Sequence, residues 1–490
     1  MSSTESHALS PSRSPSVAIA GATGFIGRAL ASALVESHHV IGLTRGERVS
    51  VPTNSGQDQV EWRRADLFSS RETEAALKGA SAAFYLVHSM MPSARLTQGR
   101  FEDLDLILAD NFARACWANG VQRIIYLGGL VPDATEAHLS RHLRSRLEVE
   151  QTLGAYGTPV TALRAGLVVG RGGSSFQMML RLVQRLPVMV FPAWTLSKTQ
   201  PIDVRDVVAL LTGALQTPET AGRAYDIGGP DVMTYREMLL TTAELLGRKL
   251  RTISVPFFSP RLSRLWVSVV SGSSRALVGP LVMSLEHSMV ASQRRLQSLL
   301  DRPGYSFGES VRHALQPSPE AATTKVPAVM PLERDLPPRS LVRSVQRLPV
   351  PERATARWVA EEYLRWLPRF FRYLIHVRID GHKAWFELRL VRRPLLELEL
   401  IPSRSNDDRQ LFIVRGGLLA DAESSPLGRL EFRTAVGHRH VLAAIHDFKP
   451  RLPWWIYRLT QAIGHLWVMR AFGRHLRRQR DAGVETPAAG

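Results

Sequence analysis

Residues 16–30, SVAIAGATGFIGRAL, place a glycine-rich turn between a short apolar run and a helical pattern. In such a strand–turn–helix, Gly21 allows the tight turn, Gly24 leaves room for a pyrophosphate and Gly27 lets the helix pack on the strand. The start of the helix presents backbone N–H groups and a partial positive charge to phosphate. Unless the turn is purely structural, the stretch predicts a dinucleotide site formed by Gly21, Ala22, Thr23, Gly24, Phe25, Ile26 and Gly27.

After this turn, strand-like runs alternate with helix-sized segments up to about residue 228. The further runs are HVIGLTR (39–45), VEWRRADL (60–67), AAFYLVHS (82–89), QRIIYLGG (122–129) and PVTALRAG (159–166). Between them apolar residues recur every three or four positions, and residues 229–315 have a mostly helical pattern. Repeated βα units predict the α/β class, with a Rossmann-type doubly wound parallel sheet over residues 17–315.

In a sheet of this type, the residues that end the strands select the cofactor. The second run ends in Thr44 and Arg45, and no carboxylate occurs before Glu47. A carboxylate there would bind the ribose 2′-OH of NAD(H), whereas Arg45 would neutralise the 2′-phosphate of NADP(H). NADP(H) is therefore the expected cofactor; NAD(H) and a merely solvated Arg45 are the alternatives. Four residues at the ends of the third and fourth runs are expected near the adenine, its ribose or the pyrophosphate: Asp66, Leu67, Val87 and His88.

A second pattern follows residues 316–339, which contain six prolines and no apolar period and are typical of a linker. Over residues 340–480 a helical pattern precedes several runs that alternate apolar and polar residues at period two, and a helix of about 27 residues begins near Pro453. This order predicts an α+β domain whose antiparallel sheet, half exposed to water, wraps around the last helix with room for an apolar cavity. Residues 1–16 and 481–490 are expected to be tails.

The last helix carries a broad apolar surface and a narrow polar stripe. The apolar residues are Trp455, Leu459, Ile463, Leu466, Trp467 and Met469, and the polar ones are Arg458, Gln461 and His465. One interpretation is a core helix that packs across the sheet. The other is a helix that lies on a membrane, because the basic cluster of residues 470–480 would meet anionic headgroups.

Composition limits the classes of partner and compartment. The formal net charge is +18, and residues 331–490 hold 28 Lys and Arg against 17 Asp and Glu. The basic residues are scattered and form no reader motif, so nucleic-acid binding is not expected. The lone Cys116 excludes an intramolecular disulfide, and no Cys/His spacing predicts a metal site. The first 16 residues lack the apolar core of a signal peptide, which predicts a cytoplasmic protein with at most peripheral contact to the inner face of the membrane.

The motifs taken together resemble a known superfamily. They are GATGFIG (21–27), ADL (65–67), FYLVHSM (84–90), IIYLGGL (124–130), LRAGLVVGRGGSSF (163–176) and TQPIDVRDV (199–207). In this order they are similar to the atypical extended short-chain dehydrogenases/reductases, which include nitrogen-metabolite-repression regulators and the NADPH-binding accessory subunit of respiratory complex I. The second domain resembles helix-grip, START-like folds. The resemblance implies an NAD(P)(H)-binding protein.

The catalytic pattern departs from that superfamily. Active members use a Ser or Thr after the fifth strand and a Tyr-x-x-x-Lys on the next helix, whereas this chain has Gly128 and Gly129 after the strand and His142 and Arg146 at the Tyr and Lys spacing. A histidine can exchange protons, and an arginine one turn away favours its neutral form. His142 and Arg146 are therefore the candidate catalytic residues; alternatively they line a cleft that only binds.

Two functions remain open at this point. The first is an NADP(H)-dependent oxidoreductase that acts on a small apolar, lipid-like substrate such as a quinone or isoprenoid. The second is an NAD(P)H-binding module that senses redox state or serves in assembly without turnover, which the missing Ser/Tyr/Lys set favours.

Overall fold

The computed structural model describes residues 15–46, 59–88, 96–132, 139–255, 285, 287–316, 341–372, 374–389, 391–421, 428–437 and 439–484. They form two compact units, one drawn from residues 1–91 and 108–328 and the other from residues 92–107 and 329–490. The linker 316–339, except residue 316, lies outside the described residues, as do most of both tails.

The strands and helices are numbered in chain order. The strands are β1 (Ser16–Ala20), β2 (His39–Thr44), β3 (Glu61–Arg64), β4 (Ala82–Tyr85), β5 (Leu96–Gln98), β6 (Arg123–Gly129), β7 (Val160–Ala165), β8 (Val168–Val169), β9 (Val188–Pro192), β10 (Lys198–Thr199), β11 (Ile202–Asp203), β12 (Ala224–Ile227), β13 (Met233–Thr234), β14 (Arg251–Val255), β15 (Val342–Pro349), β16 (Ile375–Asp380), β17 (Lys383–Leu388), β18 (Val391–Leu400), β19 (Arg409–Gly416), β20 (Arg429–Thr434) and β21 (His440–Phe448). The helices are α1 (Phe25–Leu34), α2 (Ser70–Ala76), α3 (Phe101–Ala118), α4 (Arg141–Leu153), α5 (Ser174–Arg185), α6 (Val204–Gln216), α7 (Tyr235–Leu245), α8 (Arg295–Leu299), α9 (Phe307–Leu315), α10 (Ala356–Phe370), α11 (Trp454–Leu459) and α12 (Gln461–Asp481).

The first unit is built on a parallel sheet in the order β12-β7-β6-β4-β1-β2-β3. Helices cover both faces, and β1 is accordingly apolar and buried from Val17 to Ala20. Val17 and Ile19 pack with α1 and α6, while Ala18 and Ala20 pack on the opposite face with α3 and α4. The predicted Rossmann-type parallel sheet is confirmed.

The second unit is a separate sheet in the order β16-β17-β18-β19-β20-β21-β15-β5. Its strands pair antiparallel, as expected, except that β15 pairs with β5 in parallel. Residues 92–107, which the sequence pattern kept within the first domain, therefore belong to the second unit. β5 has only three residues, too few for a periodic pattern that would predict a partner as distant in the sequence as β15. By pairing with β15, it covers what would otherwise be an edge strand.

One face of this second sheet is covered by α10 and α12, and the space between is filled by side chains. Trp366 stacks on Phe370 with ring centroids 4.6 Å apart, and Phe472 lies 5.1 Å from both Trp366 and Tyr363. These aromatic rings occupy the region where the apolar cavity was expected. The helix-grip likeness stays a prediction.

The last helix differs from its expected form in two ways. It is divided at Thr460, whose φ of −120° and ψ of −80° end α11 before α12 begins. Two of the three residues of its polar stripe also turn inward: His465 lies 3.1 Å from the Ser344 hydroxyl, and Gln461 donates to the Leu419 carbonyl, whereas Arg458 is exposed. The residues that face inward follow a spacing of three and four, Ala462, His465, Met469, Phe472 and Leu476. The predicted faces were therefore wrong in part, because Met469 lies on the inward face and not with the exposed Trp455 and Trp467.

Candidate functional site

The glycine-rich turn has the geometry that its residues predict. Gly21 has a φ of 90°, a conformation that favours glycine, and its carbonyl accepts a hydrogen bond of 2.9 Å from the Gly24 amide. A Cβ at Gly27 would lie 2.8 Å from the Cα of Ala22, so the helix can approach the strand only with glycine at this position. The turn and the first residues of α1 therefore form a cradle of backbone atoms.

The start of α1 leaves its amide groups available for a phosphate. Its N-cap, Gly24, makes no side-chain hydrogen bond, and the first turn contains no acidic residue. Other helices of the same unit are capped by a side chain, namely that of Asp203, Thr234 or Ser306. Because an uncapped helix N-terminus binds anions, residues 21–27 fit the pyrophosphate of a dinucleotide.

Phe25 also contacts a second glycine turn, and sequence spacing did not predict this contact. Its ring packs against Gly170, Gly172 and Gly173, where a Cβ at Gly172 would lie 2.7 Å from the ring. The repeated glycines of GRGG were the available signal for a close approach by another group. The contact connects the first turn of α1 with the start of α5.

The turn lies at the point where the sheet reverses its order. The chain continues from β1 to β2 and β3 on one side, and through β4, β6, β7 and β12 on the other. The Leu86 amide donates to the Ala20 carbonyl at 3.0 Å, and the Leu86 carbonyl lies 3.1 Å from a Cβ built on Gly21. Ligands of open α/β sheets bind at such a switch point. The fold thus brings Gly21 next to the segment that carries Val87 and His88.

The other proposed cofactor residues lie after β2 and β3. Arg45 is exposed directly after β2, the neighbour of β1. Asp66 is partly buried, and its carboxylate accepts from the Phe68 amide at 3.2 Å within the turn that leads to α2. Leu67 is buried, and its carbonyl accepts from Asn111 at 2.7 Å. Arg45 and Asp66 therefore keep accessible polar groups, whereas the Leu67 side chain is part of the core.

The two candidate catalytic residues lie near His88. His142 and Arg146 are one turn apart on α4, a helix capped by Ser140. Burial, the charge of Arg146 and the proximity of His88 lower the pKa of His142 to about 3. Desolvation by the surrounding protein and the charge of Arg146 also lower the pKa of His88; the shift is modest in effect because its side chain is exposed to solvent. Both histidines are thus neutral at neutral pH, and proton exchange by His142 near pH 6.5 is not expected.

Gly128 and Gly129 stand at the position of the usual catalytic Ser, next to the side chains of Tyr126 and Arg146. A Cβ at Gly128 would lie 2.8 Å from the ring of Tyr126, whose hydroxyl donates to the Arg146 carbonyl at 3.2 Å. At Gly129 a Cβ would lie 3.6 Å from the Arg146 side chain. The two glycines therefore accommodate Tyr126 and Arg146, and a serine at position 128 would collide with the tyrosine ring.

Arg164 lies near the end of β7, where it pairs in register with Gly128 of β6. It forms two hydrogen bonds with Glu150, of 2.9 and 2.6 Å, and this pairing raises the pKa of the guanidinium. Sequence spacing did not identify Glu150 as its partner. The ion pair fixes α4 to β7 one turn beyond Arg146.

Among the residues that the structure describes, no group of three or more His, Cys, Asp or Glu could hold a metal ion. Likewise, none of the helices in those parts of the chain is long and apolar enough to cross a membrane.

Comparisons with known proteins agree with this geometry. Residues 17–228 match the NAD dependent epimerase/dehydratase family. The matched residues include the glycine-rich turn and the strands of the parallel sheet. The description of that family names NAD, and the cradle at residues 21–27 fits the pyrophosphate of such a dinucleotide.

Individual relatives cover part of the chain. The auxiliary protein GraX of Staphylococcus aureus is 34% identical over 30% of this chain and 42% of its own length. Subunit 9 of the NADH dehydrogenase [ubiquinone] 1 alpha subcomplex of Arabidopsis thaliana is 25% identical over 48% of this chain and 59% of its own. The chain thus spans about half the length of these two relatives. A (4-alkanoyl-5-oxo-2,5-dihydrofuran-3-yl)methyl phosphate reductase of Streptomyces griseus is 29% identical over 48% of this chain and 75% of its own.

A solved structure shares the fold of the first unit. A nucleoside-diphosphate-sugar epimerase of Staphylococcus aureus superposes with a TM-score of 0.50 and 16% identity, covering 61% of this chain and 99% of the epimerase.

Proposed function

We propose that the first unit is an NADP(H)-dependent reductase for a small apolar substrate with a carbonyl or quinone oxygen. The observation that carries the proposal is the convergence of the glycine turn, His88 and the pair His142–Arg146 at one edge of the sheet. Parallel strands end at the same edge, so β1, β4 and the segment after β6 all contribute. The bound dinucleotide would supply the hydride.

The chain's own contribution is electrostatic. A neutral His142 has a ring N–H that would donate a hydrogen bond to a substrate oxygen, and Arg146 carries a positive charge beside it. Both features stabilise negative charge that develops on a substrate oxygen, and their effect is large where water is excluded. Because imidazolium is absent at neutral pH, His142 serves as a fixed hydrogen-bond donor rather than as a titrating acid.

An apolar substrate agrees with the surroundings of these residues. A cluster of apolar side chains adjoins the pair on α4: Leu130, Leu139, Leu143 and Met289 are buried, with Val131 and Leu147 at its margin. The printed name of the Streptomyces griseus reductase also describes a substrate that carries an alkanoyl chain. Apolar walls with few polar groups are typical of such sites.

NADP(H) is preferred over NAD(H) because of Arg45. Its guanidinium is exposed at the end of β2, where a 2′-phosphate would need a counter-charge. Among the described residues that follow β2, Arg45 and Gly46, neither is acidic.

A second candidate is a module that binds NAD(P)H without turnover. Tyr126 occupies the space of the usual serine, and this observation favours it. The plant relative is named as a subunit of a larger enzyme, which agrees with a role in assembly.

Calorimetric titration with NADPH, followed by a turnover assay with quinones and alkyl ketones, separates the two. For the reductase we expect His142→Ala to lower kcat by about 100-fold or more, while the Kd for NADPH changes little. His376→Ala, at an exposed position in the second unit, is the matched control. Tight NADPH binding without turnover of any substrate would support the second candidate, and no binding of either dinucleotide would overturn both.

A further inference from the structure

The surface formed by α11 and α12 has an apolar stripe whose side chains are exposed among the residues that the structure describes. Trp455 is 68% exposed, Leu459 68%, Ile463 58% and Trp467 50%. Trp455 and Leu459 lie four residues apart on α11, and Ile463 and Trp467 lie four residues apart on α12, so each pair occupies one side of its own helix. On α12, Ile463 and Trp467 contrast with the inward-facing Met469, Phe472 and Leu476, which are buried.

The stripe extends onto the end of α10. The ring of Trp467 lies 4.9 Å from that of Phe370 and 6.0 Å from that of Phe371. Leu374, just beyond, is 51% exposed. Trp467, Phe370 and Phe371 therefore form a contiguous apolar patch, and patches of this type mark binding sites.

The same face becomes basic toward the C-terminus. At 100° per residue, Ile463, Trp467, Arg470, Arg474 and Arg478 lie within an arc of about 80°. The three arginines and their neighbour Arg477 are exposed. From Phe448 to Arg480 the chain contains seven Arg and one Lys and no Asp or Glu. One continuous helix face thus presents apolar rings first and positive charge next.

We propose that this face, defined by Trp455, Leu459, Ile463, Trp467 and Arg470–Arg478, binds the surface of a membrane that contains anionic lipids. Tryptophan and aliphatic side chains enter the boundary between headgroups and acyl chains, while arginines pair with the lipid phosphates. A helix with this division lies in the plane of the interface. A second copy of the chain fits less well, because it would bring two arginine-rich faces together.

The test is sedimentation of the full chain with vesicles of phosphatidylcholine alone and of phosphatidylcholine mixed with phosphatidylglycerol. We expect the protein to sediment with the mixed vesicles and to remain largely in solution with the neutral ones. High salt should weaken the binding, because screening reduces attraction between the arginines and the lipid.

Two variants separate the apolar and basic contributions. Trp455→Ser with Leu459→Ser should lower vesicle partitioning by about 10-fold or more. Arg470→Gln, Arg474→Gln, Arg477→Gln and Arg478→Gln together should lower it by about 100-fold or more. All six positions are exposed, so the melting temperature and NADPH affinity should stay unchanged.

Each variant has a matched control in the first unit. Trp117 and Leu299 are 66% and 55% exposed, so Trp117→Ser with Leu299→Ser removes similar apolar surface elsewhere. A quadruple Arg→Gln change at Arg71, Arg223, Arg248 and Arg251, all exposed, removes the same charge. The controls should retain vesicle binding.

Three results would overturn the proposal. One is wild-type protein that stays in solution with both vesicles; another is control variants that lose as much binding as the test variants. The third is a dimer in solution that Trp455→Ser with Leu459→Ser abolishes, without vesicle binding, which would assign the face to a second copy.

Discussion

The Cα of Ala22 lies 2.8 Å from the point where a side chain at Gly27 would begin. This closeness fixes the distance between α1 and β1, and with it the position of the amides that would hold a pyrophosphate. Replacing Gly27 must therefore move the helix, the turn, or both.

Gly27→Ala should lower the free energy of unfolding by about 1–3 kcal/mol and weaken NADPH binding at least about 10-fold. Calorimetric titration and urea denaturation measure the two effects. Gly308→Ala is the control, since Gly308 is also in a helix and its Cβ would meet nothing closer than the end of Arg312, 3.7 Å away. Unchanged NADPH affinity in Gly27→Ala would contradict the role given to the turn.

Arg45→Asp should reverse cofactor preference. The change removes the counter-charge for a 2′-phosphate and supplies a carboxylate for a ribose 2′-OH. We expect the ratio of NADPH to NADH affinity to fall by about 10- to 100-fold in calorimetric titration. Arg71→Asp, at an exposed position of α2, should leave the ratio as it is. If Arg45→Asp and Arg71→Asp have the same ratio of NADPH to NADH affinity, Arg45 does not bind the 2′-phosphate.

Acid should destabilise the second unit through His465. Burial lowers its pKa to about 4, while an unfolded histidine titrates near 6.5. Below pH 6.5 the unfolded chain takes up a proton that the folded chain excludes until about pH 4, so the free energy of unfolding falls across this window. The loss is at most about 1.4 kcal/mol per pH unit for one such group.

His465→Gln should make the melting temperature less dependent on pH between 6.5 and 4 than in the wild type. Gln can still meet the hydroxyl of Ser344, which lies 3.1 Å from the histidine ring. The exposed His376 serves as the comparison through His376→Gln. Identical pH profiles for wild type and His465→Gln would show that His465 does not titrate as described.

Glu431→Gln should destabilise the second unit strongly. Burial alone would raise the pKa of Glu431, but Arg433, His446 and Arg409 hold it well below its usual range. Arg409 donates to it at 2.9 Å, and Arg433 also pairs with it. Removing the carboxylate charge leaves buried arginines uncompensated, at a cost of about 3–5 kcal/mol in urea denaturation.

The contrasting variant is Glu361→Gln. Its ion pair with Arg365 is exposed on both sides and lies one turn apart on α10. We expect a change below about 0.5 kcal/mol there. Similar effects at both positions would mean that the buried pair at Glu431 is no stronger than a surface pair.

The sequence by itself determined the parts of the molecule that depend on neighbours along the chain. A glycine turn between a strand and a helix needs only residues 16–30, because the tight φ at Gly21 and the close approach at Gly27 are local requirements. Alternating βα units likewise predicted the parallel sheet. The sequence also placed His142 and Arg146 one turn apart, because α4 has a fixed period.

Only the tertiary structure decided which of these pieces meet. His88 and His142 come together because β4 and β6 are adjacent in the sheet, a pairing that no local pattern encodes. The strand at residues 96–98 joins a partner that begins at Val342. At the C-terminal end, the period of the sequence placed Met469 with Trp455 and Trp467, but packing against the second sheet turned Met469 and His465 inward and left the two tryptophans exposed. Local rules determine an element and its faces, whereas the choice of the buried face depends on the shape of what it packs against.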